Sequence, residues 1–237
     1  LDVKLIDVMG DDLRVVNAAR VSFDKESDWD YNVFKTEGGT YPALSEKDQK
    51  LINYLAKHNH WTPFSHVQIT MREKVPIFVA RQRFKHMVGF TYNEVSRRYV
   101  DSPPEFFIPS IWRGAPEGNK KQGSSEKEIK FLTDLPWYEG HEPIKASYNT
   151  HLNNCMELYL VMIENGVAPE QARMILPQSM YTEYYVTGSL AAWARAYKLR
   201  ADGHAQKEIQ DLVVMWNTEI SKLELLKHSW SALTNGT

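Results

Sequence analysis

The stretch HVQITMREKVPIFVARQRFKHMVGFTYNEVSRRY, residues 66–99, decides how the chain is read. Its first seven residues, His66-Val67-Gln68-Ile69-Thr70-Met71-Arg72, alternate polar and apolar, as a strand with one buried face does. Pro76 then stands where the first residue of a helix belongs, which predicts a helix from Ile77 to about His86. On that helix Arg81 and Lys85 are four apart, and so are Gln82 and His86, giving two adjacent polar stripes on which a flat polar ligand could lie. Past Gly89, an extended reading of Glu94-Val95-Ser96-Arg97-Arg98 puts Glu94, Ser96 and Arg98 on one face, so a carboxylate, a hydroxyl and a guanidinium converge.

This density of cations stands out because the chain is nearly neutral. Lys plus Arg number 28 against 30 Asp plus Glu, a net charge of −2, so no general positive field draws nucleic acid or an anionic membrane. An anion site must therefore be local, and Arg81, Arg83, Lys85, Arg97 and Arg98 are its candidates. Each guanidinium–phosphate hydrogen bond contributes about 1.5–3 kcal/mol, so a few of them would hold a monophosphate. The competing reading is a solvated face whose ion pairs contribute under about 1 kcal/mol each.

Working outward, 237 residues with 43% hydrophobic content can bury roughly 70–75% of the unfolded surface. With no internal repeat and no clean linker, a single α+β domain over residues 1–237 is expected. Upstream of the central stretch, a strand Val3–Val8, a Gly10-Asp11 turn, a short helix Leu13–Ala19 and a polar loop Ser22–Thr40 are predicted. Ser45-Glu46-Lys47-Asp48 resembles a capping box, and Leu51, Ile52 and Leu55 recur at helical spacing up to about His58. Downstream, residues 103–141, including GNKKQGSSEKE, read as a long excursion with little packed structure. A helix from about Ile144 to Asn165 is stopped by Gly166, and a short one is opened by Pro169 and ended before Pro177. Met180–Val186 is aromatic and β-branched, hence a strand, with Tyr181, Tyr184 and Tyr185 read as core and interface. Two last helices, Ser189 to about Leu199 and Ala205–Leu226, flank Ala201-Asp202-Gly203.

One cysteine rules out an intramolecular disulfide framework or a Cys-rich zinc site and points to a reducing, cytoplasmic compartment. The start LDVKLIDVMGDD is too charged for a signal peptide, and nowhere do 18 apolar residues run together. Cys155 is read as a small buried thiol on the long helix. His58, His60 and His66 could ligate a metal, but their spacing matches no helical histidine pair and Thr62-Pro63 interrupts them, so no metal is expected. Ser22 and Ser96 are possible nucleophiles for which the sequence fixes no base. Arg173, and Arg200 with His204, lie near helix ends, where they could serve as caps or as phosphate and base-edge contacts.

Taken together these segments resemble the flavin-dependent thymidylate synthase family. Asn93-Glu94-Val95-Ser96-Arg97-Arg98-Tyr99 matches the second half of its signature in full. Ala19-Arg20-Val21-Ser22, His60-Trp61-Thr62-Pro63-Phe64, Arg81-Gln82, Glu170 to Pro177 and Leu199 to Gln206 resemble further family blocks, in order, over most of the chain. The chain departs from the family pattern at several places: Lys85-His86-Met87 replaces the usual Arg-His-Arg, the spacer to Ser96 is one residue longer, Ser65 replaces a usual Glu and Ala191 a usual Arg, and the excursion from about Ser110 to His141 is longer than in many relatives.

The resemblance implies a central antiparallel sheet with flanking helices, a homotetramer with active sites built from several subunits, and FAD bound in a non-Rossmann manner, with which the lack of any GxGxxG agrees. It implies methylation of dUMP to dTMP, with methylenetetrahydrofolate giving the carbon and FAD, reduced by NADPH, the hydride. Gln82, Lys85, Glu94, Ser96, Arg97, Arg98, Arg173 and Arg200 fall at dUMP positions, Arg200 being the catalytic one. Ser22, Thr62, Lys85, His86, Glu94, Arg195 and His204 fall at flavin positions. Two other classes stay open on the residues alone: a phosphate-binding module without redox chemistry, and a histidine-based metallohydrolase.

Overall fold

A computed structural model describes residues 1–36, 39–118, 123–135 and 138–235. The chain opens with β1 (Asp2–Met9) and α1 (Asp12–Arg20), whose N-terminus is capped by the Asp11 side chain accepting the Arg14 N–H at 2.8 Å. Where a polar loop is expected, Asp30–Thr36 (β2) and Gly39–Ala43 (β3) pair as an antiparallel hairpin; residues 37–38 of the expected loop lie outside the described residues. In α2 (Glu46–Lys57) the Ser45 hydroxyl accepts the Asp48 N–H at 3.2 Å, the expected cap. The Asp48 carboxylate turns toward Arg20 Nε at 3.0 Å and the Ser27 hydroxyl at 3.0 Å. Burial pushes the Asp48 pKa up, yet the bonds from Arg20, Ser45 and Ser27 and the Arg20 charge hold it below the usual carboxylate value. Arg20 is thus a strut between α1 and α2.

The alternating stretch becomes β4 (Gln68–Pro76), preceded by a 3₁₀ turn at Pro63–His66. Helix α3 (Ile77–Arg83) is shorter than expected, because Phe84 leaves the helix axis to pack its ring on Tyr184 and Tyr92 at 4.8 and 5.0 Å. Lys85 and His86 are therefore off the helix, and the two four-spaced stripes do not form. Arg83, one of the candidate anion-site cations, is fully buried at its end. Next come β5 (Phe90–Glu94), β6 (Phe131–Leu135), β7 (Tyr138–Pro143), α4 (Ile144–Glu164) and α5 (Pro169–Ala172). Strand β8 (Tyr181–Ser189) leads directly into α6 (Leu190–Ala201), capped by Ser189. The last expected helix ends early: α7 (Lys207–Ser221) gives way to a 3₁₀ turn at Glu224–Leu226, and a further helix not expected from the sequence, α8 (Lys227–Asn235), follows.

Leu1–Glu73, Phe84–Asn93 and Tyr184–Thr237 form one compact unit. Its sheet has the order β1-β4-β8-β5. Leu190 N–H meets Val67 O, Thr70 meets Thr187, and Tyr184 meets Glu73: one partner's number falls as the other's rises, which makes β4 and β8 antiparallel. Ile69 and Met71 on β4 and Val186 on β8 turn into the core beside Leu190, while Arg72 and Tyr185 on the alternate face are exposed. Fully buried Trp193 and Trp216 meet edge to face at 5.2 Å, and the Trp193 indole N–H donates to Ile69 O at 3.2 Å.

Lys74–Arg83 and Glu94–Glu183 form the second unit. Gly166, at φ +81, closes α4: Gly166 N–H returns to Ile163 O and Val167 N–H to Met162 O, both at 2.9 Å. The excursion at 103–141 carries more structure than expected. Phe106 bridges Met180, Arg113 bridges Glu128, β6 pairs antiparallel with β7, and Tyr148 on α4 donates to Phe107 O at 3.0 Å. Residues 119–122 and 136–137 of that excursion lie outside the described residues. Cys155 is half-buried, 3.6 Å from His151, not sequestered in the core.

Asp12 is wholly buried and accepts the Ser229 and His228 backbone N–H groups at 2.9 and 3.0 Å, tying α8 to α1. Burial pushes its pKa up to about 6, against the hydrogen bonds from Ser229 and His228, and the Asp11 charge adds to the rise. A folded-state value above the unfolded one means the native chain holds this proton more tightly. The resulting stability is fully present below about pH 4 and is lost as pH rises through 6. The expected outcome is that, between pH 7 and pH 4.5, the unfolding free energy of the wild type rises relative to Asp12→Asn by roughly 2 kcal/mol in urea titrations. A difference that does not change with pH would show that Asp12 does not titrate in this window.

Candidate active site

In the first unit the polar groups gather on residues 84–89, which are held from several sides. Tyr92 donates its hydroxyl to His86 O at 2.7 Å, Phe90 N–H closes a turn onto Met87 O at 3.1 Å, and Ser189 N–H donates to Gly89 O at 3.1 Å. Arg195, on α6, donates to Val88 O. Gly89 has φ +80, and a Cβ there would stand 2.9 Å from Ala192 Cβ and 3.2 Å from Ser189 Oγ. Only glycine both adopts this backbone and lets the segment rest on the start of α6.

With the segment so placed, Arg200 Nε donates to His86 Nε2 at 2.9 Å. Burial lowers the Arg200 pKa from its ordinary value, though a guanidinium keeps its charge. Past the end of α6, Asp202 accepts the His204 backbone N–H at 2.8 Å and lies 2.8 Å from His204 Nδ1. Those bonds, first from the His204 backbone and then from its ring, lower the Asp202 pKa. His86, Arg195 and Arg200 are thus brought together, whereas Lys85, Ser22, Thr62 and His204 are exposed positions of the same unit.

In the second unit Glu94 ends β5 and accepts the Thr182 hydroxyl at 2.6 Å. The chain beyond it is not extended: Tyr99 and Val100 N–H groups return to Ser96 O at 3.0 and 3.2 Å, and the Ser96 hydroxyl accepts the Arg98 N–H at 3.4 Å. The expected alternating face of Glu94, Ser96 and Arg98 is therefore replaced by a turn. On it Arg98 bonds the Tyr99 hydroxyl and lies 5.0 Å from its ring centre, while Arg97 donates to Ser102 O. Gln82 sits on α3, and exposed Arg173 donates to Glu170 O at 3.3 Å. Among the described residues no hydrogen bond joins Arg173 to the 96–100 turn.

Two contributors escaped the sequence reading. Thr182 holds Glu94 from 88 residues away, which no local pattern reveals. Asp202, two residues before His204, follows the Asx-turn pattern and was legible in principle. His58 and His60 stack around Tyr54 at ring distances of 4.3 and 5.9 Å, and among the described residues no three His, Cys, Asp or Glu converge as metal ligands would.

The fold is mixed α/β, and among the described residues no glycine-rich strand–helix turn of the Rossmann kind is present. Residues 4–223 match the family model described as "Thymidylate synthase complementing protein". The chain is 36% identical over 229 residues to the flavin-dependent thymidylate synthase of Thermosipho melanesiensis, covering 97% of this chain and 87% of that one. It is 39% identical to that of Thermosipho africanus over 208 residues, covering 88% and 80%. A UMP/dUMP methylase, PolB, from Streptomyces cacaoi, bound with 5-Br UMP, superposes with a TM-score of 0.74 at 25% identity, covering 99% of this chain and 93% of that one. The chain belongs to the flavin-dependent thymidylate synthase family.

Gly89→Ala tests how far the 84–89 segment depends on its glycine. Crowding costs roughly 1–3 kcal/mol and the left-handed backbone about 1–2 more. We expect the thermal midpoint to fall by on the order of 10 °C, read by circular dichroism, whereas an unchanged midpoint would mean the segment is not seated on α6.

Proposed function

We infer that the chain, acting as one enzyme domain, methylates dUMP to dTMP, taking the carbon from methylenetetrahydrofolate and the hydride from FAD that NADPH has reduced. The observation that carries this is the family match from residue 4 to 223, which takes in the Asn93–Tyr99 stretch, His86 and Arg200. The Streptomyces methylase with 5-Br UMP supports a uridylate as substrate. Like the family it resembles, the protein works as a homotetramer with shared active sites, so one site draws residues from several copies of the chain.

The donor set suits a flavin. Lys85 and Arg195 are exposed cations, Ser22, Thr62, His86 and His204 carry hydrogen-bonding side chains and Glu94 a carboxylate, groups of the kinds that the phosphates and carbonyls of a flavin dinucleotide would take. These residues would hold FAD, which supplies a hydride there when bound and reduced.

dUMP is held by Gln82, Lys85, Glu94, Ser96, Arg97, Arg98 and Arg173, whose charge-assisted bonds favour the phosphate and the pyrimidine edge. Arg200 has the catalytic part. Uracil C5 becomes nucleophilic only as electron density moves into the ring, and a half-buried guanidinium beside N3 and O2 stabilises the negative charge that develops there. Activation of this kind asks for no thiolate at C6, and Cys155 lies on α4, outside the motif positions. The single cysteine suits a cytoplasmic enzyme; among the described residues no helix is long and apolar enough to cross a membrane.

The test is anaerobic incubation with NADPH, methylenetetrahydrofolate and dUMP, with and without added FAD, assayed for dTMP. Formation of dTMP that depends on FAD is expected, and none under reducing, flavin-replete conditions would overturn the reading. Arg200→Ala should keep its flavin absorbance while kcat falls about 10²–10³-fold, the loss of one preorganised donor, about 2.7–4 kcal/mol. Wild-type turnover in that variant would remove Arg200 from the chemistry.

A further inference from the structure

We propose that His86 is the positioning residue of Arg200, acting through a neutral, Nδ1-protonated imidazole that accepts the Arg200 Nε–H and fixes the guanidinium plane. A guanidinium nitrogen can only donate. The 2.9 Å contact with His86 Nε2 therefore requires that nitrogen to carry a lone pair, and in a neutral ring the proton then sits on Nδ1.

The geometry favours the ring as anchor and the guanidinium as the group being held. His86 lies on a segment pinned by Tyr92 through its own carbonyl, by Ser189 through Gly89, and by Arg195 through Val88. Arg200 is in the last turn of α6, two residues before the extended Asp202, on a long side chain with several rotatable bonds. One bond at Nε removes much of that freedom, because it fixes the direction of the Nε–H, which lies in the plane of both terminal nitrogens. Helix α6 is in turn anchored where Ser189 caps it and where Trp193 bonds Ile69 O. The part of the proposal that concerns catalysis rests on the function inferred above; the tautomer and the bond do not.

The experiment has two arms. In the first, the holoenzyme is labelled with ¹⁵N-histidine and long-range ¹H–¹⁵N correlation reads the His86 tautomer. We expect Nδ1–H with an unprotonated Nε2 in the wild type, shifting toward the Nε2–H form in Arg200→Ala. An Nε2–H ring in the wild type, or a tautomer indifferent to Arg200→Ala, overturns the proposal. In the second arm, kcat at saturating FAD is compared for His86→Gln, which keeps an acceptor near the Nε2 position, and His86→Phe, which keeps a ring without one. Absorbance verifies flavin occupancy in each. We expect His86→Gln within a few-fold of wild type and His86→Phe lower by on the order of 100-fold, the scale of a small misplacement of a reacting group. Equal losses in the two variants overturn the proposal, since a ring needed only for packing or flavin contact does not sort variants by acceptor. A wild type that makes no dTMP contradicts the function reading alone, and the tautomer arm still decides this proposal.

Discussion

The antiparallel pairing of β4 with β8 brings residues 67–73 against 184–190, and the first unit is organised around it. Because β8 runs into α6 without a loop, the register that seats Ser189 and Leu190 also sets where that helix starts. The same strand on its other edge receives β5, and Ser189 N–H holds Gly89. Both ends of the His86–Arg200 bond thus hang from one strand: His86 through the segment that β8 and α6 pin, Arg200 through the helix that β8 launches.

Electrostatics follows from that arrangement more than from composition. A chain of net charge −2 has no long-range pull on an anion, so binding depends on a few donors held in place. The structure spends several cations on architecture. Arg20 braces α1 against α2 through Asp48, Arg83 is buried at the end of α3, and Lys74 holds Glu105 at 2.8 Å. Three residues of the proposed site are held by neighbours of modest chemistry: a threonine on the Glu94 carboxylate, an imidazole on Arg200, a tyrosine on Arg98.

Much of the fold was legible where a local rule governs it. Ser45 and Ser189 cap helices, Gly166 stops one, Pro169 opens one, and period-two alternation marks β4. The failures have two causes, a distant tertiary contact in one case and local hydrogen bonds in the other. The helix after Pro76 stops at Arg83 because Phe84 finds Tyr184, 100 positions away in the chain, and the 94–98 segment turns because Ser96 bonds its own neighbours instead of a partner strand. The site divides the same way. Asn93–Tyr99 and the Leu199–Gln206 block can be picked out by residue type and order, but the pairing of His86 with Arg200 spans 114 positions and that of Thr182 with Glu94 spans 88. Periodicity carries no information over such distances; only the register of the sheet does.

On the proposed function, the Arg200 guanidinium on α6, held by the His86 imidazole, would meet the pyrimidine whose fifth carbon is methylated. A crystal structure of the flavin-loaded protein with dUMP addresses this directly. The terminal nitrogens of Arg200 are expected within hydrogen-bond distance of the uracil N3–O2 edge while its Nε stays on His86. A nucleotide bound with Arg200 turned away into solvent and His86 released would contradict it.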